Sequence, residues 1–340
     1  MKKLKNLLIS SVTLLLIACG GSKEPEKTFT FYAGLQDDHA AMIAKEFQAK
    51  TGIKTDYVRM SSGEVLARLK AEKNNMTASV WYGGPADAFV AAQAEGLLEP
   101  YKSKEDQYIP ANLKDPGNYW TGIYVGYLGF VGNQKMLAEK GLEMPKSWND
   151  LLDPKFKGEI VVAHPGSSGT AYTMVATLVQ LMGEDQAMEY LKQLNQNIRQ
   201  YTKSGTAPGR MAGQGEVTVG ITFLHDAIKY KKEGFTDIII SAPEEGTGFE
   251  IGGVALLKNA PNPEAGKMFI DWVLSKEVQE LGKTVGSYQF LTNSNANPPE
   301  EAMQLKGTKL IDYDFDWAGN NRVRLVERFT NETNTDIPQK

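Results

Sequence analysis

"TFTFYAGLQDDHAAMIAKEFQAKTGIKTDYVRM", residues 28–60, decides how this chain folds. "TFTFYAG" alternates as a strand does and ends in a turn. A helix follows: Asp37 or Asp38 serves as N-cap, Ile43 and Phe47 share one face, and Gly52 is the stop. "IKTDYVRM" is a second strand. The same order then repeats. "SSGEVLARLKAEKNN" (61–75) reads as a helix, "ASVWYGG" (78–84) as a strand and "PADAFVAAQAEG" (85–96) as a helix. Pro85 is expected at the first position of that helix, and Gly96 lies beyond its last. Strands alternating with helices of this length give a parallel sheet with helices on its faces.

Further along, "YWTGIYVGYLGFVGN" (119–133) is a long β-rich segment with no helix inside it. A second strand–helix series starts at "SWNDLLDPKFKGEIVVAH" (147–164), and "QNIRQYTKSG" and "EVTVGITFL" continue it. "GFEIGGVALLKN" (248–259) is another long β segment, followed by the helical "PEAGKMFIDWVLSKEVQELG" (263–282). Two long β segments flanking a middle α/β block describe a chain that crosses into a second domain and returns. With 340 residues the chain is long enough for two domains. The expected division is 28–125 with 252–299 in one lobe and 126–251 in the other. Residues 300–340, including "DFDWAGNNRVRLVERF", read as an irregular stretch and a terminal helix packed on the body. Neither an internal repeat nor a low-complexity segment stands out.

The N-terminus is of another kind. "MKKLKN" is basic, and "LLISSVTLLLIA" (7–18) is apolar but too short to span a bilayer. It runs into Cys19, and "LIAC" matches the bacterial lipobox. The expectation is a signal peptide over 1–18, lipidation of Cys19, and a small, charged tether over 19–27. Losing residues 1–18 removes Lys2, Lys3 and Lys5 and no acid, which moves the net charge from −4 to −7. Cys19 is the only cysteine, so no intramolecular disulfide is available. The acidic balance and the lack of a dense Lys/Arg block argue against nucleic acid. The chain is expected to be a monomer, anchored to a bacterial membrane on its extracytoplasmic side without spanning it.

Enzyme signatures are missing. "GSSG" (166–169) does not have nucleophile-elbow spacing, no phosphate loop of the G-x-x-x-x-G-K-[ST] kind occurs, and "GTGFEIG" (246–252) has one residue too many for G-x-G-x-x-G. His39, His164 and His225 stand far apart, and none has a second histidine at zinc spacing. On an extended strand, His225 and Asp226 would point to opposite faces, which disfavours a dyad. No catalysis and no cofactor are expected.

What remains points to binding. In "VVAHPGSSGTAYTMVATL" a strand ends at Ala163 and a helix begins near Thr170. Unpaired first-turn amides, the helix dipole and small residues suit an anion there; equally, Ser168 could do no more than cap its helix. "MSSGEVL" holds an S-x-x-E capping box at Ser61 and Glu64, which puts Ser62 in the first turn, at the carboxyl edge of the sheet. Ser204, Gly205 and Thr206 form a third such corner before a short helix with Arg210. Three corners facing one cleft would make a nest of amides and hydroxyls for a small anion. Asp226 reads as a possible N-cap of "AIKYKKEG". Glu250 is an acid inside an apolar crossing segment, costly unless it meets water, a partner or a ligand. Trp81 and Tyr82 suit either the core or the face of a sugar.

"VWYGGPADAFVAAQAEGLLEPY", "GEIVVAHPGSSGTAYT" and "GGVALLKNAPNPEAGKMFIDWVLS", with the opening segment and the lipobox, resemble the extracellular solute-binding proteins of bacterial ABC importers. The likeness covers nearly the whole chain after the signal. It is closest to the branch of ferric-iron binders, which also holds organophosphonate and hexose-phosphate binders. It implies an α/β, two-lobed periplasmic-binding-protein fold of type II: each lobe a mixed sheet flanked by helices, two β crossovers at the hinge, and ABC permease subunits as partners. Ferric binders carry adjacent tyrosines where this chain has "FLHD" (223–226), and often a histidine where it has Gln36. The resemblance therefore implies a phosphorylated sugar or similar organic anion, with ferric iron the alternative. Ser168, Gly169 and Thr170 would hold the phosphate; His225, Asp226 and Glu250 would hold hydroxyls. Gln36, Ser62, Ser204 and Thr206 complete the expected ligand-binding set.

Overall fold

The structure, a computed structural model, describes residues 28–338. Cys19, the lipobox and the tether lie outside the described residues. The opening segment forms β1 (Thr28–Ala33), α1 (Asp37–Thr51), β2 (Lys54–Arg59), α2 (Ser62–Ala71), β3 (Val80–Pro85) and α3 (Ala86–Ala94). β1 pairs in parallel with both β2 and β3. The strand alternation sorts its side chains between two cores. Phe29, Phe31 and Ala33 pack with Ile43 and Phe47 of α1 on one face. Tyr32 packs with Trp81, Val65 and Phe89 on the other. β3, inside the sheet, is buried along its whole length, whereas β2 at the sheet edge is polar and largely exposed.

β4 (Leu98–Glu99) precedes β5 (Thr121–Asn133), a strand of 13 residues. The middle of the chain then runs α4 (Gln134–Lys140), β6 (Ile160–Ala163), α5 (Gly169–Met182), α6 (Glu184–Asn195), β7 (Ile198–Thr202), α7 (Ala207–Gly213), β8 (Val219–Phe223), α8 (Leu224–Lys232) and β9 (Ile238–Ser241). It closes with β10 (Phe249–Leu257), α9 (Pro263–Val273), α10 (Lys276–Leu281), β11 (Phe290–Leu291) and α11 (Phe315–Thr333).

Two mixed sheets result, and β5 belongs to both. The first has the order β2-β1-β3-β10-β5 and the second β5-β8-β6-β7, with β9 on the other side of β5. β5 pairs with β10 as far as Tyr127, opposite Phe249, and with β8 from Leu128, opposite Phe223. The amide of Leu128 donates to the carbonyl of Gly248 at 3.1 Å. The two long β segments read from the sequence thus cross side by side. α11 shares the core of the second sheet through Ala318, Leu325 and Phe329. It also reaches α3 near the crossing: Arg322 makes a buried ion pair with Asp87 at 2.8 Å.

Local boundaries correct the sequence reading in four places. The N-cap of α1 is Gln36, in extended conformation, and Asp37 and Asp38 enter the first turn, where carboxylates meet the positive helix end. Pro85 still pairs with Gly252 of β10, so it ends β3 and caps α3 instead of starting it. α8 begins at Leu224, directly after the β5–β8 ladder stops, and Asp226 therefore lies inside its first turn. The stretch 263–282 is two helices, separated at Leu274 and Ser275.

Candidate functional site

β1, β2, β6 and β8 end at one cleft between the two sheets. Its space is about 430 Å³ including the mouth, a size common for small-ligand sites. Ligands of open α/β sheets sit at the carboxyl ends of strands, and here those ends are also helix starts. Ser62 opens α2, Gly169 and Thr170 open α5, Thr206 precedes α7, and His225 and Asp226 sit in the first turn of α8; all line the cleft. Gln36 and Glu250 line it as well. Ser204 does not. It lies in an adjoining opening with Arg210 and Lys229, one hydroxyl contact away from the cleft, 3.0 Å from Thr206 Oγ1.

One end of the cleft is built from hydroxyls and amides. Ser168 caps α5, its Oγ accepting the amide of Ala171 at 3.3 Å. That leaves the amides of Gly169 and Thr170 without intrahelical partners. The approach is close enough to require glycine. A Cβ on Gly205 would stand 2.2 Å from Thr170 Oγ1 and 2.7 Å from Ser168 Oγ. A Cβ on Gly169 would stand 3.0 Å from Ser62 Oγ. Ser62 from one side and Ser168 and Thr170 from the other therefore converge. Arg59, at the end of β2, donates from Nε to the Leu35 carbonyl at 3.2 Å and from Nη2 to Ser204 Oγ at 3.3 Å. Ser61 and Glu64 form the expected capping box, with the Ser61 amide donating to Glu64 Oε2 at 3.0 Å. The reverse contact is too loose for a hydrogen bond, and Ser61 Oγ stays buried without a partner.

The other end is acidic and enclosed. The His225 ring stacks on Phe223 at 5.7 Å, and its Cε1–Nδ1 edge lies against the backbone of Gly126. Its Nε2 is 3.7 Å from Asp226 Oδ1 and 3.9 Å from Glu250 Oε1. The strand-based argument against this pair acting together does not apply, because both residues are helical. Burial pushes the Glu250 carboxyl well above the usual carboxylate range, and the negative charge of Asp226 adds to the shift. Burial lowers the His225 pKa, with Asp226 pulling the other way. Burial also raises the phenol of Tyr124, which accepts the Gly84 amide at 3.2 Å. Gln36 Nε2 donates to Asp226 Oδ1.

Several contacts join the two sides across the mouth. Besides Gln36–Asp226 and Arg59–Ser204, Lys229 pairs with Asp38 at 2.7 Å and Lys203 with Glu64 at 2.8 Å. The Gly63 amide donates to the Ser167 carbonyl at 3.0 Å. The cleft is closed in this conformation.

The remaining candidates lie elsewhere. Trp81 is fully buried and stacked on Phe89, and Tyr82 is in the core beside Phe31 and Phe269. His39 bonds Ser287 and Tyr82, His164 bonds the Gly166 amide and Thr335, and burial holds each at about 4. Among the described residues no group of three or more His, Cys, Asp or Glu side chains is placed to hold a metal ion. Sequence reasoning missed Arg59, Tyr124 and Gln289, which also line the cleft. Arg59 had a faint signal, a charge at the carboxyl end of a strand. Tyr124, an aromatic in a β run, looks like core.

Comparison with known proteins adds an independent line. The profile of a family described as bacterial extracellular solute-binding protein matches residues 84–321. A protein of Haemophilus influenzae is 42% identical over 96% of this chain and 98% of its own length. A putative 2-aminoethylphosphonate-binding periplasmic protein of Salmonella typhimurium is 29% identical over 88% of each chain. Among solved structures, the periplasmic binding protein AfuA from Actinobacillus pleuropneumoniae, with exogenous fructose-6-phosphate bound, superposes with a TM-score of 0.88. It is 44% identical and covers 92% of this chain and 100% of that one.

Proposed function

The chain belongs to the bacterial extracellular solute-binding proteins, and from that premise we propose that it captures a phosphorylated sugar or similar organic phosphate and delivers it to an ABC permease. The family binds solutes and performs no reaction on them. The observation that carries the choice of solute is the unlike chemistry of the two cleft ends. Amides and hydroxyls at the starts of α2 and α5 suit a phosphate, which only accepts hydrogen bonds when ionised. The oxygens of Asp226 and the Gln36 carbonyl accept, and the Glu250 carboxyl, its protonated form favoured by burial, can accept or donate, a combination that suits sugar hydroxyls. The fructose-6-phosphate in the AfuA structure is in keeping with this division.

Residues 28–125 with 252–299, and 126–251, would close as two lobes about β5 and β10. Lipidation of Cys19 would tether the protein to the membrane beside its permease; Cys19→Ser would then shift it from the membrane to the soluble fraction.

Titration calorimetry with fructose 6-phosphate, fructose, inorganic phosphate and ferric ion separates the readings. The expected result is tight binding of the phosphorylated sugar, with both fragments at least about a hundredfold weaker, because each engages only one end of the cleft. Ferric binding with a visible phenolate charge-transfer band, and no heat from the sugar phosphate, would replace this reading with iron capture.

A further inference from the structure

Gln36 stands on the first-sheet side of the cleft, just before α1, and Asp226 on the second-sheet side, in α8. The amide of Gln36 donates to Asp226 Oδ1 across the gap. Asp226 Oδ1 is the acceptor in this contact, which sets the way the Gln36 amide is turned. The NH₂ group faces Asp226, and the carbonyl oxygen is left over. That oxygen, Oε1, is buried and has no hydrogen-bond partner, in a side chain only 9% exposed. A buried acceptor without a donor is expensive. Nothing in α1 explains it, since Gln36 makes no capping bond to its own helix. His225 lines the cleft too, and its Nδ1 is also without a partner, but that nitrogen lies on the ring edge turned to Gly126.

We propose that Gln36 reads one hydroxyl of the bound solute through its carbonyl oxygen, and that it does so only in the closed cleft. The inference rests on the sugar-phosphate reading above. A phosphate dianion, the main form of a phosphate monoester above about pH 6, cannot satisfy Oε1, because it has no proton to give. The donor must come from the other part of the solute. The bond to Asp226 spans the two sides, so Oε1 is held in place only when they meet. A site built around a hydroxyl rejects the analogue lacking it far more strongly than a site with mere shape complementarity, because its own polar group is then stranded.

The test is calorimetry of fructose 6-phosphate and its monodeoxy analogues with the unaltered protein and with Gln36→Met, which keeps the side-chain length and removes both polar atoms. In the unaltered protein one deoxy position is expected to cost roughly ten- to a hundredfold in Kd. In Gln36→Met the parent compound weakens by a similar factor, and the gap between it and that one analogue shrinks to under about threefold. Discrimination at the other positions persists. Unchanged discrimination at every position would overturn the assignment. So would a common loss for all compounds, the mark of a residue that acts only by holding Asp226. If the parent does not bind the unaltered protein, the sugar-phosphate reading falls and this inference with it. Binding with intact discrimination in Gln36→Met removes only the role of Gln36.

Discussion

His225 sits in the first turn of α8, its ring lying on Phe223 and its Nε2 turned toward Asp226 and Glu250. Little of the fold depends on that ring. It lines the cleft, so truncation leaves space that solvent can fill. His225→Ala is therefore expected to weaken sugar-phosphate binding about tenfold or more, read by calorimetry. The free energy of unfolding in urea should move by no more than about 1 kcal/mol. Unchanged affinity would put the solute elsewhere. The candidacy of this position was legible in the sequence as a His-Asp pair after an apolar run, and the structure puts the pair in the cleft. Its geometry was not, because the strand-to-helix boundary falls one residue before His225 instead of after Asp226. The boundary is set by where β8 loses its β5 partner, a contact between distant parts of the chain.

Helix starts do the work at the next scale. α2, α5, α7 and α8 all begin at the cleft, and α5 brings capped but unspent amides to it. The bland and the functional readings of Ser168 are compatible: it caps its helix and lines the cleft. Glycine makes the convergence possible. Gly205→Ala would drive a methyl group to within 2.2 Å of Thr170 Oγ1 and 2.6 Å of Thr170 Cβ, so the start of α5 itself must shift. The expected outcome is a loss of roughly tenfold or more in sugar-phosphate affinity, together with a lowered thermal midpoint from the overpacked corner. Full affinity in this variant would separate the α5 start from the solute. Sequence patterns located these corners because turns and caps are written in four or five consecutive residues. They could not show that Ser204 would lie outside the cleft wall while Thr206, two residues on, lies within it.

For the molecule as a whole, the contacts across the mouth define closure. Gly63 is in the first turn of α2, and a Cβ there would stand 2.3 Å from the Gly166 carbonyl and 2.7 Å from that of Ser167. Those are backbone atoms of the opposing side, which cannot swing away. Once the two sides separate, alanine is the better helix former by up to about 1 kcal/mol. Gly63→Ala is thus expected to raise the unfolding midpoint of the ligand-free protein slightly while blocking full closure. Small-angle scattering should show the radius of gyration contracting on addition of sugar phosphate in the unaltered protein and not in the variant. An equal contraction in both would mean that closure does not bring Gly63 and Gly166 together.

The sequence by itself determined the strand–helix order, the two crossing β segments and the polar helix starts. Each is a matter of residues within a few positions of one another: alternation, helical period, capping and turn chemistry. Only the tertiary structure decided which of those starts face each other. Gln36 and Asp226 are 190 residues apart, and Glu250 meets His225 only because β10 and β8 flank the same strand. The buried acceptor on Gln36 belongs to that second class. A glutamine before a helix carries no mark of its partner, and which of its two polar atoms is left unpaired follows from the contact with Asp226 across the cleft.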